Sequence, residues 1–485
     1  MIEGLKPYAE YKGSGLPWLK TLPCGWRVRR GRGVFECIDV RSKTGNEELL
    51  SVSATDGVRR RSEKAVTMFQ ASSYVGHKLA WPGDLVINSL WAWMKGLGFS
   101  KYHGIVSTAY GVYRPRPEHR EGWRYLDHLF RSSAYDWELR VRSKGIWISR
   151  MQLTDWSFLD MPVLLPPPDE QAAIVRFLDH ANRKIDGFIR TKRKLIGLLN
   201  EQKQAIIHRA VTRGLPSRNL ADLKPSGLPA PSIARQAGIP WLGDIPAHWE
   251  VRRLRTIVKR IDQGVSPMAD GFLAEGSSWG VLKAGCVNRG VFRETEHKRL
   301  ASDFRIDPGI VVHAGDVLVS RACGSPALVG SVARVESLNY RLILSDKTFR
   351  PVFKEIVDIA FGVYAMNSPY YRHQVEQAIS GAEGLANNLP LSSLRDFVFA
   401  IPPLVEQRMI SSHLQGELSR FNSTIARTER EISLMQEYRT RLTADIVTGK
   451  LDVREAAANL PDLPAAAESV ADEALNKTET EETEA

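Results

Sequence analysis

The sequence contains a long internal repeat, and no other feature restricts its possible folds as strongly. The stretch LPWLKTLPCGWRVRR at residues 16–30 returns as IPWLGDIPAHWEVRR at residues 239–253. The tryptophans that keep their spacing are Trp18 with Trp241 and Trp26 with Trp249. Two tryptophans at one spacing rarely recur by chance. A repeat of this length predicts two copies of one structural unit within a single chain.

Two further motifs return in the same order. WPGDLVINSLW at residues 81–91 corresponds to HAGDVLVSRAC at residues 313–323, and PPPDEQ at residues 166–171 corresponds to PPLVEQ at residues 402–407. The offset grows from 223 to 232 and then to 236, which indicates short insertions in the second copy. We therefore predict that each copy is a mixed domain of about 160 residues followed by a long helix.

The predicted fold class is α+β, with two mixed α/β domains and an antiparallel two-helix coiled coil between them, related by a pseudo-twofold axis. A stretch rich in Pro, Gly and Ser separates the copies and reads as a linker. The predicted boundaries are residues 1–165 for the first head, 166–213 for the first helix, 214–238 for the linker, 239–400 for the second head, 401–450 for the second helix, and 451–485 for an acidic tail that we expect to be disordered.

Each predicted helix follows a proline pair and runs about 40 residues without an internal proline, which favours a coiled coil. Apolar residues recur at alternating spacings of three and four, as in a heptad seam. The alternative is that each helix packs on its own domain. The predicted interface residues are Leu178, Ile185, Ile189, Ile196, Leu199 and Ile206 in the first helix, and Leu414, Phe421, Ile425, Ile432, Met435 and Leu442 in the second.

The charge distribution indicates a polyanionic partner. The formal charge of the chain is +11, but the last 30 residues hold eight acids and one base. The preceding 455 residues therefore carry a net charge of +18. A globular body this basic favours binding to nucleic acid.

In each head, basic residues accompany aromatic or small polar residues in stretches that we expect to be loops. Cations in such loops suit DNA phosphates, and Arg or Asn side chains suit base edges. The alternative is that the aromatic residues belong to the core and that the cations are ordinary surface charges. The predicted DNA-contacting residues are Lys95, Lys101, Tyr102 and Arg114 in the first head, and Lys283, Asn288, Arg289, Arg321, Ser325, Lys347 and Arg372 in the second.

Other classes of protein receive no support from the sequence. No apolar run reaches the roughly 18 residues of a membrane span, and the start of the chain lacks the pattern of a signal peptide. The four cysteines have no metal-binding spacing, so we expect reduced thiols, a cytoplasmic location and no metal site. Asp84 and Asp316, in the repeated Gly-Asp motif, are expected to begin or cap a strand turn.

The motifs together resemble the specificity subunits of Type I restriction–modification systems. The resemblance rests on the duplicated SGLPWLKTLPCGWRV and GIPWLGDIPAHWEV stretches and on the two Pro-Pro-x-x-Glu-Gln helix starts, and it extends from about Tyr11 to Leu451. It implies that the heads are target recognition domains, each reading one half of a bipartite asymmetric DNA site. It also implies a non-catalytic subunit whose partners are double-stranded DNA, two methyltransferase subunits and motor-nuclease subunits. S-adenosylmethionine, ATP and Mg would bind to those partners and not to this chain.

Three alternatives remain at this point. NSPY at residues 367–370 is similar to the Asn-Pro-Pro-Tyr motif of amino-methylating DNA methyltransferases, so the heads would then carry a methyltransferase or nuclease centre of their own. The chain would otherwise be the specificity subunit of a related restriction system, or a coiled-coil scaffold with no role in DNA binding.

Overall fold

A computed structural model describes residues 5–63, 73–145, 151–215, 234–236, 239, 242–379 and 387–461. Most of the predicted linker and the acidic part of the predicted tail lie outside the described residues, as does Trp241 of the repeat. The chain divides into two compact units. Unit 1 comprises Met1–Arg193 and Glu429–Asn476, and unit 2 comprises Lys194–Thr428 and Lys477–Ala485.

Unit 1 contains the first twelve strands and the first three helices of the chain. The strands are β1 (Tyr11–Leu16), β2 (Leu19–Pro23), β3 (Arg27–Arg30), β4 (Phe35–Cys37), β5 (Leu50–Ser53), β6 (Gly57–Arg60), β7 (Lys78–Ala80), β8 (Leu85–Asn88), β9 (Leu97–Phe99), β10 (Gly104–Val106), β11 (Tyr110–Pro115) and β12 (Pro162–Leu165). The helices are α1 (Trp123–Arg131), α2 (Asp136–Arg142) and α3 (Asp155–Leu159).

A long helix follows, α4 (Pro168–Arg213), and its second half belongs to unit 2. The strands of unit 2 are β13 (Ala234–Gln236), β14 (Asp244–Pro246), β15 (Glu250–Arg253), β16 (Val258–Gln263), β17 (Ala269–Asp270), β18 (Trp279–Leu282), β19 (His297–Leu300), β20 (Val317–Ser320), β21 (Ala322–Cys323), β22 (Val332–Arg334), β23 (Arg341–Ile343), β24 (Thr348–Phe353), β25 (Asn387–Asn388) and β26 (Val398–Ile401).

The helices of unit 2 are α5 (Leu254–Ile257), α6 (Ile359–Ala365), α7 (Pro369–Ala378) and α8 (Leu391–Asp396). The second long helix, α9 (Leu404–Val447), begins in unit 2 and ends in unit 1, where the short helix α10 (Arg454–Ala458) follows it. Each unit therefore contains one part of each long helix.

The same four-stranded antiparallel sheet occurs in both units. Its strand order is β4-β11-β8-β9 in unit 1 and β16-β24-β20-β22 in unit 2. The repeated Gly-Asp motif precedes the central strand in each case, and that strand is apolar because it is buried on both faces. A second pairing is also duplicated, since β3 pairs with β12 and β15 pairs with β26. The sequence repeat thus corresponds to a repeated fold.

The units differ beside this shared sheet. Unit 1 has two separate strand pairs, β5 with β6 and β7 with β10. Unit 2 has a further four-stranded sheet in the order β17-β19-β18-β23, and it encloses a small core of its own. The insertions expected from the growing offset fall in this part of the second copy.

The repeated helix start has a physical explanation in both units. The amides of Gln171 and Gln407 donate to the carbonyls of Pro166 and Pro402, at 2.9 and 2.8 Å. The helix N-terminus also favours the acids of its first turn. Each motif therefore fixes the angle at which the chain turns from a β-strand into the long helix.

The repeated glutamate and tryptophan meet in the core of unit 1. Trp26 is fully buried, and its indole N–H donates to Glu170 at 2.7 Å. The hydroxyl of Tyr8 donates to the same carboxylate. At Gly449, just past the end of α9, the backbone adopts φ +74°, and a side chain there would collide with Pro23. Unit 1 thus packs the start of one long helix and the end of the other around Trp26.

Unit 2 repeats this arrangement with a different polar partner. Trp249 is buried, and Gly214, with φ +73°, follows the end of α4 close to Trp249 and Glu406. Here Glu406 binds the imidazole of His248 at 2.8 Å. The position of His248 is occupied by a glycine in the first copy.

We expect Glu170→Ala to destabilise unit 1, because two buried donors, on Trp26 and Tyr8, would lose their acceptor. An unpaired buried donor costs about 1–3 kcal/mol. Hydrogen exchange of β3 and β12 would measure the loss as faster exchange. Glu170→Gln is the control, since it keeps an acceptor oxygen. Equal exchange in the alanine variant and the unchanged chain would contradict this role for the carboxylate.

Within each unit the two long helices contact each other and run antiparallel. In unit 1, Lys192 binds Glu431 at 2.7 Å, and Asp186 binds Arg439. In unit 2, Lys203 donates to Asn422 at 2.6 Å, and burial lowers the pKa of its ammonium group. Each helix also packs on the adjoining head, through Ile174 and Phe177 of α4 and through Ile410 of α9.

The predicted interface residues all lie on the protected side of the helices. Five of them are buried, and the other seven are half-buried. Neighbouring apolar residues outside the predicted seam, such as Leu195, Leu198 and Leu434, are exposed. The heptad pattern therefore separates the covered face of each helix from its solvent face.

Candidate nucleic-acid interface

The aspartate of the repeated Gly-Asp motif forms an ion pair with an arginine in each of the two sheets. The carboxylates of Asp84 and Asp316 accept the backbone N–H groups of Trp81 and His313, both at 2.9 Å, so they cap the turn before the central strand as predicted. Asp84 also binds the guanidinium of Arg114 in two hydrogen bonds of 2.8 Å. This bonding raises the pKa of Arg114, so the group stays charged.

The corresponding arginine of unit 2 is Arg350, and it is more deeply buried. Its guanidinium binds Asp262 and Asp316, and it donates to the carbonyls of Gly309 and Val311. Burial lowers the pKa of this guanidinium, but the two carboxylates raise it by more. With its side chain only 6% exposed, Arg350 stabilises the fold and is not a free DNA contact.

Three predicted contact residues of the second head come together at one end of β20. The guanidinium of Arg321 donates to the carbonyl of Asp346 at 3.0 Å, and the backbone N–H of Arg321 donates to the carbonyl of Lys347 at 2.8 Å. Ser325 lies in the same loop, which continues from Arg321 into β22. The exposed ammonium of Lys347 forms an ion pair with the adjacent Asp346 at 3.2 Å. These residues form a polar, net basic loop end.

Another three predicted residues lie in or beside the 3-10 segment Ala284–Gly290 of unit 2. Lys283 binds Glu296 at 3.7 Å, and Asn288 is half-buried. Arg289 is exposed and adopts φ +59°. Such a left-handed backbone is unfavourable for a side chain with a Cβ and often marks functional sites.

Among the described residues, Lys95 in the first head is the one other non-glycine residue with a left-handed backbone, at φ +61°. It lies in the loop between β8 and β9, and its ammonium binds Asp136 at 2.9 Å. Trp91 and Trp93 stack in the same loop, with ring centroids 6.3 Å apart, and Trp91 is 54% exposed. This loop corresponds in the sheet to the Arg321 loop of unit 2.

Lys101, Tyr102 and Arg114 lie at the other end of the β8–β9 hairpin, so the structure does not bring them together with Lys95. Lys101 is exposed, whereas Tyr102 is half-buried beneath the guanidinium of Arg60, 4.7 Å from its ring centroid. Arg114 is held by Asp84, but its side chain remains 30% exposed. The predicted contacts of the first head therefore fall on two separate surfaces.

The side chain of Arg372 stabilises the loop that contains Ser325. Its guanidinium donates to the carbonyls of Val329 at 2.6 Å and Ala327 at 3.1 Å, which belong to the loop that contains Ser325. Arg372 therefore positions that loop.

The NSPY stretch also has a structural role. The amide of Asn367 donates to the carbonyls of Val332 and Val363, at 2.9 and 3.0 Å, and Tyr370 is buried. In a methyltransferase of this type the Asn side chain would have to hold the target amine. Here the amide nitrogen packs α6 and α7 against β22, which gives Asn367 a structural role.

A groove that the sequence did not predict lies beside Lys101 and Arg114. Its volume is about 590 Å³, and we call it the basic groove. Its charged and aromatic lining consists of Trp81, Asp84, Lys101, Arg114, Arg120, Trp123 and Arg124. The available signal was the density of basic residues between Arg114 and Arg124, where Arg116, Arg120 and Arg124 follow one another at intervals of four.

The part of the chain that the structure describes has neither a metal-binding cluster nor a membrane-spanning helix. It contains no cluster of three or more His, Cys, Asp or Glu side chains arranged to hold a metal ion. None of the helices within the same residues has the length and apolarity needed to cross a bilayer.

Comparisons with known proteins give a consistent picture. No family model matches the sequence. The chain is 29% identical over 191 residues to the Type I restriction enzyme EcoEI specificity subunit of Escherichia coli. The aligned region covers 38% of this chain and 32% of that relative. The chain is 22% identical over 218 residues to the EcoKI specificity subunit of Escherichia coli strain K12, which covers 43% of this chain and 44% of the relative. The alignments thus span less than half of either relative.

Among solved structures, the fold is similar to that of a chain from work on complex assembly and conformational transition of the type I R-M system. The TM-score is 0.55 at 19% identity, covering 88% of this chain and 99% of that chain. The similarity extends to the mixed helix and strand content. The resemblance predicted from the motifs is confirmed by these relatives.

Proposed function

We propose that this relative of the Type I restriction enzyme specificity subunits is itself the DNA sequence-specificity subunit of a Type I restriction–modification complex. Each head would read one half of a bipartite, asymmetric DNA site. The observation that carries the proposal is the duplicated sheet of β4-β11-β8-β9 and β16-β24-β20-β22, which presents different side chains from equivalent loops. Two equivalent frames with different loops suit two different half-sites.

We assign base reading to the loop ends that carry Lys95 in the first head and Arg321, Ser325 and Lys347 in the second. Arg289, with its exposed side chain and left-handed backbone, is a further candidate in the second head. Arg side chains at such positions suit the O6 and N7 acceptors of guanine, and lysines suit phosphates. Arg372 acts through the loop that it positions.

We further propose that the two long helices form the antiparallel coiled coil between the heads and present a docking surface for two methyltransferase subunits. Motor-nuclease subunits would complete the complex, and this chain would be non-catalytic. S-adenosylmethionine, ATP and Mg would then belong to the partners.

The proposal is tested by mapping methylated adenines in a host that lacks other modification enzymes, after expressing the chain with its methyltransferase subunit. The expected result is one split motif of two short halves with a fixed gap. If the two proteins associate and methylate without any such motif, the role as sequence reader is wrong.

The helices are also expected to set the gap between the half-sites. We predict that removing one heptad from each helix, residues 194–200 of α4 and 424–430 of α9, shortens the gap by about three base pairs. Seven helical residues span about 10 Å, and the DNA rise is about 3.4 Å per base pair. The same methylation map measures the gap. A motif with an unchanged gap would refute the spacer role, whereas substituting exposed Leu434 by Ala should leave both halves and the gap intact.

A further inference from the structure

The basic groove of the first head has cationic side chains that the fold itself does not neutralise. Arg114 is paired with Asp84, and Arg124 with Asp179 at 2.8 Å. Lys101 and Arg120 are exposed, and neither side chain has a hydrogen-bond or ion-pair partner within the described ranges. A concave surface with two unpaired cations attracts an anionic group.

Two lining positions of the basic groove have different residues in the described part of the second head. The backbone N–H of Gly83 donates to the carbonyl of Ser100, and that of the equivalent Gly315 donates to the carbonyl of Val335. The residues that follow these two carbonyls therefore occupy equivalent positions in the two heads. That residue is Lys101 in the first head and Glu336 in the second. The equivalent of Trp81, on the opposite side of the turn, is His313. The groove therefore serves a purpose specific to one head.

The described part of the chain ends next to this groove. Helix α10 is anchored on unit 1 by buried Val453 and Ala457, and the carbonyl of Leu460 accepts a hydrogen bond from Arg176 of α4. Asp179, the partner of Arg124, lies three residues further along α4. Residues at this spacing are neighbours on a helix surface. The last described residues of the chain therefore lie beside the part of α4 that pairs with an arginine of the groove.

The next residues of the chain have the complementary charge. Residues 462–476 contain the acids Asp462, Glu468, Asp472 and Glu473 and no base. Counting from Leu460, residue 468 is eight positions on, which an extended chain spans with about 27 Å. The groove is thus within reach of all four carboxylates.

We propose that residues 462–476 bind in the basic groove, with their carboxylates on Lys101 and Arg120. This inference rests on the proposed function, in which the first head binds DNA. Because the sequence predicts Lys101 and Arg114 among its DNA contacts, the segment would compete with DNA for the first head. Weakly bound, nonspecific duplex would be displaced first, because its affinity is almost wholly electrostatic. A specific site, which adds base contacts, would displace the segment.

Carbodiimide cross-linking of the full chain tests the docking without any DNA. The reagent activates a carboxylate, and a lysine amine held beside it then forms an amide bond, which mass spectrometry locates. We expect Lys101 to be joined to a carboxylate of residues 462–476. The charge reversal Arg120→Glu should lower the yield at Lys101 at least about fivefold. Lys298→Glu in the second head is the matched control and should leave that yield unchanged.

Two outcomes would overturn the docking. One is that these carboxylates are cross-linked only to lysines near α10, such as Lys6 and Lys450. The other is that the yield of cross-linking at Lys101 is the same in the Arg120→Glu variant as in the unchanged chain. Cross-linking at Lys101 in a chain that fails to bind duplex would keep the docking and refute the proposed function instead. The two failures are therefore distinguishable.

Competition with DNA is tested by two sets of substitutions with the same change in net charge. One set converts the four acids of residues 462–476 to amides, and the other converts Glu479, Glu481, Glu482 and Glu484. At about 50 mM salt, we expect the first set to raise affinity for nonspecific duplex about tenfold, and the second set to raise it far less. The gain from the first set should largely vanish in the Arg120→Glu background. Equal gains from both sets would mean general charge repulsion and would refute competition in the groove.

Discussion

Replacing Arg350 by alanine is expected to destabilise the second head by about 3–5 kcal/mol, the usual cost of removing one partner from a buried ion pair. The reason is that Asp316 would lose the guanidinium it binds, and Asp262 would keep only the exposed guanidinium of Arg260. The carbonyls of Gly309 and Val311 would also lose a donor. The measurement is hydrogen exchange of β16, β20 and β24, whose amides should exchange faster by a factor that corresponds to this free energy.

The first head supplies a matched control. Arg114→Ala removes the equivalent arginine, but its side chain is 30% exposed against 6% for Arg350, and it has one carboxylate partner instead of two. We expect a clearly smaller loss of protection in β8 and β11. Equal losses in the two heads would show that burial of the guanidinium does not determine the cost. An unchanged exchange rate in the Arg350 variant would refute the stabilising role altogether.

On the proposed function, exchanging residues 1–160 for the first head of a Type I restriction enzyme specificity subunit is expected to change one half of the methylated motif completely. The other half and the gap should stay as they were, because the second head and both long helices are untouched. Methylation mapping provides the measurement. The donor should keep a tryptophan at the position of Trp26, since Glu170 remains in the recipient and needs that indole as a donor.

A change in both halves would show that the heads do not read DNA independently. The reciprocal exchange of residues 239–400 is the control, and it should alter only the half that the first exchange left alone. Loss of all methylation would have to be separated from misfolding by checking that the exchanged chain still binds its methyltransferase subunit.

The sequence predicted the duplicated elements well, because their cause is local. The Pro-Pro-x-x-Glu-Gln motif places the long helices within three residues of their observed starts, Pro168 and Leu404. The heptad spacing similarly separates the covered face of each helix from its exposed face. These features depend on the order of residues along one element, which the sequence gives directly.

The candidate interface was harder to predict, because it depends on contacts between distant residues. Arg350 and Arg372 are ordinary arginines in the sequence, but the fold surrounds them with carboxylates or backbone carbonyls. Left-handed backbones at Lys95 and Arg289 have no sequence signature, since glycine is the usual residue there. The basic groove joins residues from the turn before β8, the segment after β9, the end of β11 and the start of α1, and no single stretch contains it.

Each long helix contributes residues to both units, and this arrangement has a consequence for biosynthesis. The core of unit 1 includes Leu442, Ile446 and Val453, which the ribosome adds long after the end of α4, and the backbone of Lys6 forms a β-bridge with that of Asp452. The first head therefore cannot complete its core while it emerges. From the end of α4 to the end of α10, synthesis takes about 12–50 s at typical rates. During this time the nascent first head depends on chaperones or on its own partial core. A chain that terminates before the end of α9 therefore leaves this head open to proteolysis.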